Sequence, residues 1–193
     1  MDLNQHLFLL INSCHVNGFT VGLARFFAEV PIYLSAALLV GNWLLARPQE
    51  RGPALAIPCA AVILIVMHTL IRHHWYHPRP FAIGMGCAFL THDPNSSFPS
   101  NHLGIIFACA TAAVLLPRFR QVAIAVFVLC LPIAWSRIFA GVHWPYDMFG
   151  AIVTGGISGL LGHAVVRAVI ARRQQAPRQA ARVAARVRQR GPH

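Results

Sequence analysis

The apolar positions of this 193-residue chain gather into long runs, not into the alternation of a half-buried strand or the narrow stripe of a soluble helix. Runs near 20–46, 53–72, 101–117, 121–137 and 147–171 each come close to the ~20 residues a helix needs to cross a bilayer. Backbone polar groups in hydrocarbon must be satisfied within the segment itself, so such runs predict helices. The expected fold is all-α, an integral membrane helical bundle of about five transmembrane helices. Residues 1–19 are different. The stretch HLFLLINSCHVNGF mixes a short apolar run with His6, Asn12, His15 and Asn17. It is too short and polar to span, and it lacks a basic start followed by a small-residue cleavage site, so it is expected to be a retained interfacial or re-entrant segment.

Composition agrees with the pattern. Hydrophobic residues make up 56% of the chain and charged residues 11%, against about 25% charged in a soluble domain; the mean hydropathy is +0.57. A net charge of +11 raises the question of nucleic acid, and the placement of the arginines answers it. Arg47 and Arg51 share one loop, Arg118 and Arg120 another, and Arg172 to Arg190 follow the last run. If those three places are cytoplasmic, each obeys the positive-inside rule. The N-terminus and the loops near 73–99 and 138–146 then lie outside, and no nucleic-acid partner is expected. The tail carries Arg178, Arg182, Arg186 and Arg190 at a spacing of four, which fits either a helix lying on anionic lipid or a solvated topology signal. The five cysteines are scattered, and three fall inside apolar runs as small hydrophobes. Cys14 and Cys87 both fall on the outer side, but a scattered, odd-numbered set makes no case for a disulfide between them.

Ionisable groups in or at the ends of membrane spans are costly, so each marks a functional hypothesis. Three clusters stand out. In RHHWYHPRPF, Arg72 and Arg79 bracket an aromatic, histidine-rich stretch that Pro78 and Pro80 stiffen. Two guanidiniums held this way suit phosphate oxygens; the plain alternative is that both snorkel to the interface. His73, His74 and His77 have no carboxylate or cysteine at matching spacing, and no metal site is expected there. In SSFPSNH, Ser100 or Asn101 caps the run that follows, where first-turn amides form a natural anion site, and His102 adds an imidazole a cap does not need. In SRIFAGVHWPYD, Ser136 and Arg137 close one run while His143 and Asp147 open the next. Asp147 suits a helix N-terminus by charge alone. The sharper reading is that it fixes the tautomer of His143 and frees the other ring nitrogen to attack. Together the clusters describe metal-free phosphoryl transfer: arginines and amides cradle the phosphoryl group, one histidine attacks phosphorus and the other protonates the leaving oxygen.

These motifs resemble the signature of the type-2 phosphatidic acid phosphatases: a basic residue, six residues, Arg-Pro; then Pro-Ser-Gly-His; then Ser-Arg, five residues, His, three residues, Asp. Here they read Arg72 with Arg79-Pro80, Pro99-Ser100-Asn101-His102, and Ser136-Arg137 with His143 and Asp147. Arg72 stands where lysine is usual and Asn101 where glycine is usual. The resemblance implies that His143 is the nucleophile, Asp147 its partner and His102 the general acid. It assigns Arg72, Arg79, Ser100, Asn101 and Arg137 to the phosphate. The segments WYHPRPF, DPNSSFPSNH and GVHWPYD look most like the bacterial undecaprenyl pyrophosphate phosphatase branch. That branch implies hydrolysis of the C55 polyprenyl pyrophosphate to the monophosphate carrier of cell-wall assembly, at the periplasmic face of the inner membrane. Glu29, in RFFAEVPIY, also resembles this branch, where it supports substrate binding; packing, or pairing with Arg25, is the alternative.

The expected organisation is a membrane phosphatase domain over 1–171 and a basic cytoplasmic tail over 172–193. The expected partners are a polyprenyl pyrophosphate and membrane lipids, with no cofactor and no metal; the sequence leaves the oligomeric state open. Phosphatidate, phosphatidylglycerol phosphate and lipid A phosphate are rival substrates that the catalytic motifs do not separate. A non-catalytic anion-binding protein or transporter is the rival class, and it has no need of the His143–Asp147 pair.

Overall fold

A computed structural model describes the backbone of residues 1–189 and the side chains of 1–175. Among the described residues seven α-helices follow one another: α1 (Leu3–Ile11), α2 (Gly18–Leu44), α3 (Pro48–Ala54), α4 (Ala56–His74), α5 (Asn101–Val114), α6 (Arg120–Phe139) and α7 (Pro145–Gln189). The described residues contain no strand. Four stretches are long and apolar enough to cross a membrane: 18–44, 48–74, 117–139 and 145–175; α5 is a shorter apolar helix. Thus the five expected spans are present, with one difference. The third was expected to reach residue 117 and ends at Val114. Pro117 is the reason, since it pushes Leu116 into extended backbone (φ −102°, ψ 116°), as a residue before proline prefers. At ~1.5 Å per residue, α5 is about 21 Å long, shorter than the ~30 Å hydrocarbon core of a bilayer.

α5 is the centre of the bundle, in contact with α4, α6 and α7, while α2 packs mainly on α6. Small residues permit the close approach. A Cβ on Gly155 would stand 2.9 Å from the Gly104 carbonyl, and one on Gly159 would stand 2.8 Å from that of Ala108. Gly162 sits equally tightly against the backbone of α4 at Ala56 and Ala60. Without a hydrophobic drive between helices in lipid, this small-residue packing is what brings the backbones together. α7 continues without a break to Gln189. The arginine stripe of the tail, open between anionic lipid and solvent, falls on side chains outside the described residues.

The N-terminal segment is a short helix bound to the site end of the bundle. Asp2 and Gln5 form a capping box at its start. Asn4 accepts from the Tyr146 amide at 3.0 Å, and the ring of Phe8 packs 5.1 Å from that of Trp144. Asn12 bonds both backbone groups of Cys87 and donates to the Phe139 carbonyl at 2.7 Å. Asn12, one of the polar residues that bar this segment from spanning, also ties it down.

That tie also accounts for a correction. Cys14 and Cys87 are joined in a disulfide with their Cα atoms 5.4 Å apart. Asn12 holds Cys87 two residues away from Cys14, and this tertiary contact leaves no trace in cysteine spacing. The other three cysteines are free thiols.

Candidate active site

Four helix ends and one loop build the site. α4 and α6 end there, α5 and α7 begin there, and the 75–100 loop covers it. The loop is fixed by its own hydrogen bonds: the Ser97 amide donates to the His77 carbonyl at 2.8 Å, the His77 amide donates to Ser96 Oγ, and the Trp144 indole donates to the Pro78 carbonyl at 2.8 Å. His77 packs among these groups, and burial lowers its pKa. Gly141, at φ +77°, makes the turn between α6 and α7; any Cβ there would collide with the Cys87 carbonyl.

His143 is 1% exposed and Asp147 fully buried. His143 Nδ1 lies 3.1 Å from Asp147 Oδ2, and the same oxygen accepts from the Trp144 amide at 2.8 Å. A carboxylate can only accept, so Nδ1 carries the proton and Nε2 presents its lone pair. Burial, with the charges of Arg79 and Arg137 added, holds the imidazole pKa well below its ordinary 6.5. The ring is therefore neutral at neutral pH, as a nucleophile must be.

Arg79 is 2% exposed. It donates to Asn95 Oδ1 through Nη2 at 2.8 Å and through Nε at 3.2 Å, and to the Val142 carbonyl through Nη1 at 2.6 Å. Nη1 also stands 3.3 Å from His143 Nε2. Sequence motifs assign Arg79 to phosphate; in the structure most of its donors hold protein, and the long contact to Nε2 is the one a phosphate oxygen can replace. Burial first, then the like charges of Arg137 and Arg72, lower its pKa to about 10. It stays cationic at neutral pH, under repulsion that an anion would relieve.

The other site residues converge on the same place. Arg72 Nη2 donates to the Pro99 carbonyl at 2.6 Å, just before the first turn of α5. Ser100 takes the N-cap position of α5 without making a side-chain cap bond. Arg137 is buried at the end of α6. His102, exposed in the first turn of α5, lies within electrostatic reach of Arg137, His92, Arg79 and Arg72. Seven buried side-chain polar atoms among the described residues lack a hydrogen-bond partner, and five belong here: Arg72 Nε, Ser100 Oγ, Arg137 Nε and Nη2, and Asp147 Oδ1. Four of the five can donate. Buried unsatisfied donors are costly, and such donors on three residues at neighbouring helix ends suit an anion's coordination shell.

Asn101 departs from expectation. Its side chain meets His68 Nδ1 at 2.8 Å, and His68 Nε2 meets Thr154 Oγ1 at 2.8 Å. The side chain is thus engaged by α4, through a ring that Thr154 of α7 holds from its other side, and what Asn101 offers an anion is its first-turn amide. Glu29 makes no ion pair with Arg25 within 4.0 Å; it is instead an electrostatic partner of Arg137. Sequence reasoning did not find Asn95, His92 or His68. Asn95 and His92 sit in a loop whose only signal is its density of polar residues, and His68 is one lone histidine in an apolar run.

A helical membrane bundle with a buried His–Asp pair beneath three arginines defines a membrane phosphatase. The chain belongs to the PAP2 superfamily, whose model matches residues 53–171. It is 34% identical to YbjG of Escherichia coli (strain K12), over 87% of this chain and 85% of that one. It is 29% identical to the undecaprenyl-diphosphatase BcrC of Bacillus subtilis (strain 168), over 82% of each chain. Its fold is similar to the crystal structure of Aquifex aeolicus LpxE, with a TM-score of 0.67 and 26% identity over 84% of this chain and 95% of that one.

Proposed function

We propose that this enzyme hydrolyses undecaprenyl pyrophosphate to undecaprenyl phosphate and phosphate through a phosphohistidine. The unpartnered donors of Arg72, Ser100 and Arg137 around the neutral Nε2 of His143 carry this reading. In it, the terminal phosphoryl group settles on those donors and the first-turn amides of α5. The phosphate replaces the Arg79 contact at Nε2, and the His143 lone pair attacks phosphorus while Asp147 stabilises the developing imidazolium. The P–O bond to the lipid phosphate breaks, and His102 supplies a proton to that oxygen. Water then cleaves the P–N bond, His102 taking its proton, which restores neutral His143 and releases phosphate. The arginines supply the positive charge a metal would otherwise bring.

The substrate follows from the relatives named for that activity. The setting is the inner membrane with the site at the periplasmic face: the loops with Arg47, Arg51, Arg118 and Arg120 lie at the opposite end of the bundle, and a Cys14–Cys87 disulfide suits an oxidising side. The test is phosphate release by purified protein in detergent with a chelator present, with phosphatidate, phosphatidylglycerol phosphate and lipid A phosphate in parallel. Preferred turnover of undecaprenyl pyrophosphate, inhibited by vanadate, is expected. Strict dependence on a divalent ion, or preference for another lipid, overturns the reading.

A further inference from the structure

Beside the His143 centre lies a second feature that the mechanism above does not use. A cleft of about 710 Å³ runs between α2 and the 81–92 segment, lined by Arg25, Glu29, Phe81, Phe89, Thr91 and His92 among others. Its His92 wall adjoins the reacting centre, for the His92 and His143 rings are 6.4 Å apart.

Arg25 is the first anomaly in this cleft. It lies two turns inside an apolar, membrane-length helix, where an unpaired guanidinium is expensive. Glu29, four residues on, has the spacing of a helical ion pair, yet the two do not pair within 4.0 Å. Arg25 turns its Nε to the Phe89 carbonyl at 3.1 Å instead. Among the described residues its terminal nitrogens have no protein acceptor, and both are available to an anion in the cleft.

His92 is the second. Its Nδ1 donates to the Asp93 carbonyl at 3.1 Å, which leaves Nε2 for a ligand. Burial and the Arg79 charge lower the pKa of this ring, and a phosphate oxygen at Nε2 counters them by favouring the imidazolium form, which donates there.

We propose that this cleft is a subsite for the non-reacting phosphate of a lipid pyrophosphate, with Arg25 and His92 as its ligands. The proposal rests on the pyrophosphate reading above. The terminal phosphoryl group occupies the His143 centre, and the bridging oxygen carries the chain past His92 to the second phosphate on Arg25. Phe81 and Phe89 face the first isoprene units. Glu29 lies one turn deeper than Arg25, where its carboxylate repels phosphate and sets the depth at which the headgroup rests. A lipid monophosphate has no group to place in this cleft, so the subsite separates pyrophosphates from monophosphates at a point that the catalytic motifs share.

The experiment compares farnesyl pyrophosphate with farnesyl monophosphate, identical in tail, on wild type and on Arg25→Ala and His92→Gln in detergent. The expected result is that each variant lowers the ratio of kcat/KM for pyrophosphate over monophosphate by about tenfold, the loss of one charge-assisted hydrogen bond, with Arg25→Lys recovering part of it. Retained monophosphate turnover reports that the variants are folded. An unchanged ratio, whether both substrates slow equally or neither does, overturns the subsite while leaving the phosphatase reading intact. Wild-type turnover of the monophosphate alone overturns the pyrophosphate reading and the subsite with it.

Discussion

His143 and Asp147 are four residues apart, but they are not a pair on a helix surface. His143 precedes α7 in the turn after Gly141, and Asp147 stands in the helix's first turn, where Trp144 caps the same carboxylate oxygen. The carboxylate is therefore fixed by backbone before it orients the ring. His143→Ala is expected to reduce phosphate release to background. Asp147→Asn is expected to slow it by roughly 10²–10⁴-fold, leaving a residual rate, because the residue orients and does not react. Full activity in His143→Ala would remove it as nucleophile. Protonation gives a second check. The folded imidazole pKa lies below 6.5, so the attacking neutral form persists as pH falls through the ordinary histidine range. The acid limb of kcat/KM should lie below that range, and a limb at or above 6.5 contradicts the assignment. Arg79 keeps its charge until pH nears its value of about 10. The residues of the candidate site were legible in the sequence because ionisable side chains at span ends are costly and therefore rare. Asn95, which engages two nitrogens of Arg79, was not legible, since an exposed loop asparagine costs nothing and stands out from nothing.

The helices were legible for the same reason in reverse. A bilayer demands apolar length, and five runs supplied it. What the runs do not encode is how a helix terminus is held from the side. His68 shows this: from α4 it reaches Asn101 on α5 and Thr154 on α7, joining three helices through one buried ring. Asn101 Oδ1 can only accept, so His68 Nδ1 donates to it, and Nε2 of the neutral ring accepts from the Thr154 hydroxyl. The asparagine that replaces the usual glycine is thus a structural partner whose neighbour, Ser100, faces the anion site. His68→Ala is expected to cost about 2 kcal/mol, from a lost buried hydrogen bond and the polar groups left behind, read as a lower Tm in detergent. Turnover should fall with it as the first turn of α5 loosens. An unchanged Tm would show that the three helices hold their register without the ring. The Cys14–Cys87 bridge belongs to the same scale. It joins residues 73 apart in sequence, through a loop contact that no spacing rule contains.

At the scale of the molecule, charge is polarised along the bundle. Arg47 and Arg51 follow α2, Arg118 lies between α5 and α6, and Arg120 opens α6. The helix ends that form the site lie at the other pole. Arg51 is itself tied to that basic end: its guanidinium donates to the Leu44 and Ala46 carbonyls and covers the Trp43 ring at 5.5 Å. Arginine bias in short loops fixes orientation during insertion, so the basic pole should lie in the cytoplasm and the site outside. The arginines at the site pole run against this bias. Arg72, Arg79 and Arg137 are half-buried or buried, however, and in the proposed mechanism their charge serves an anion, not the insertion signal. Reporter fusions test the orientation directly: green fluorescent protein at the C-terminus should fluoresce, and alkaline phosphatase at the same position should be inactive. In intact cells, after mild reduction, a membrane-impermeant maleimide should label Cys14 and Cys87 and spare the cysteines within spans. The opposite pattern in both assays would turn the site to the cytoplasm, where a lipid carrier emptied on the outer leaflet could not reach it without first being flipped.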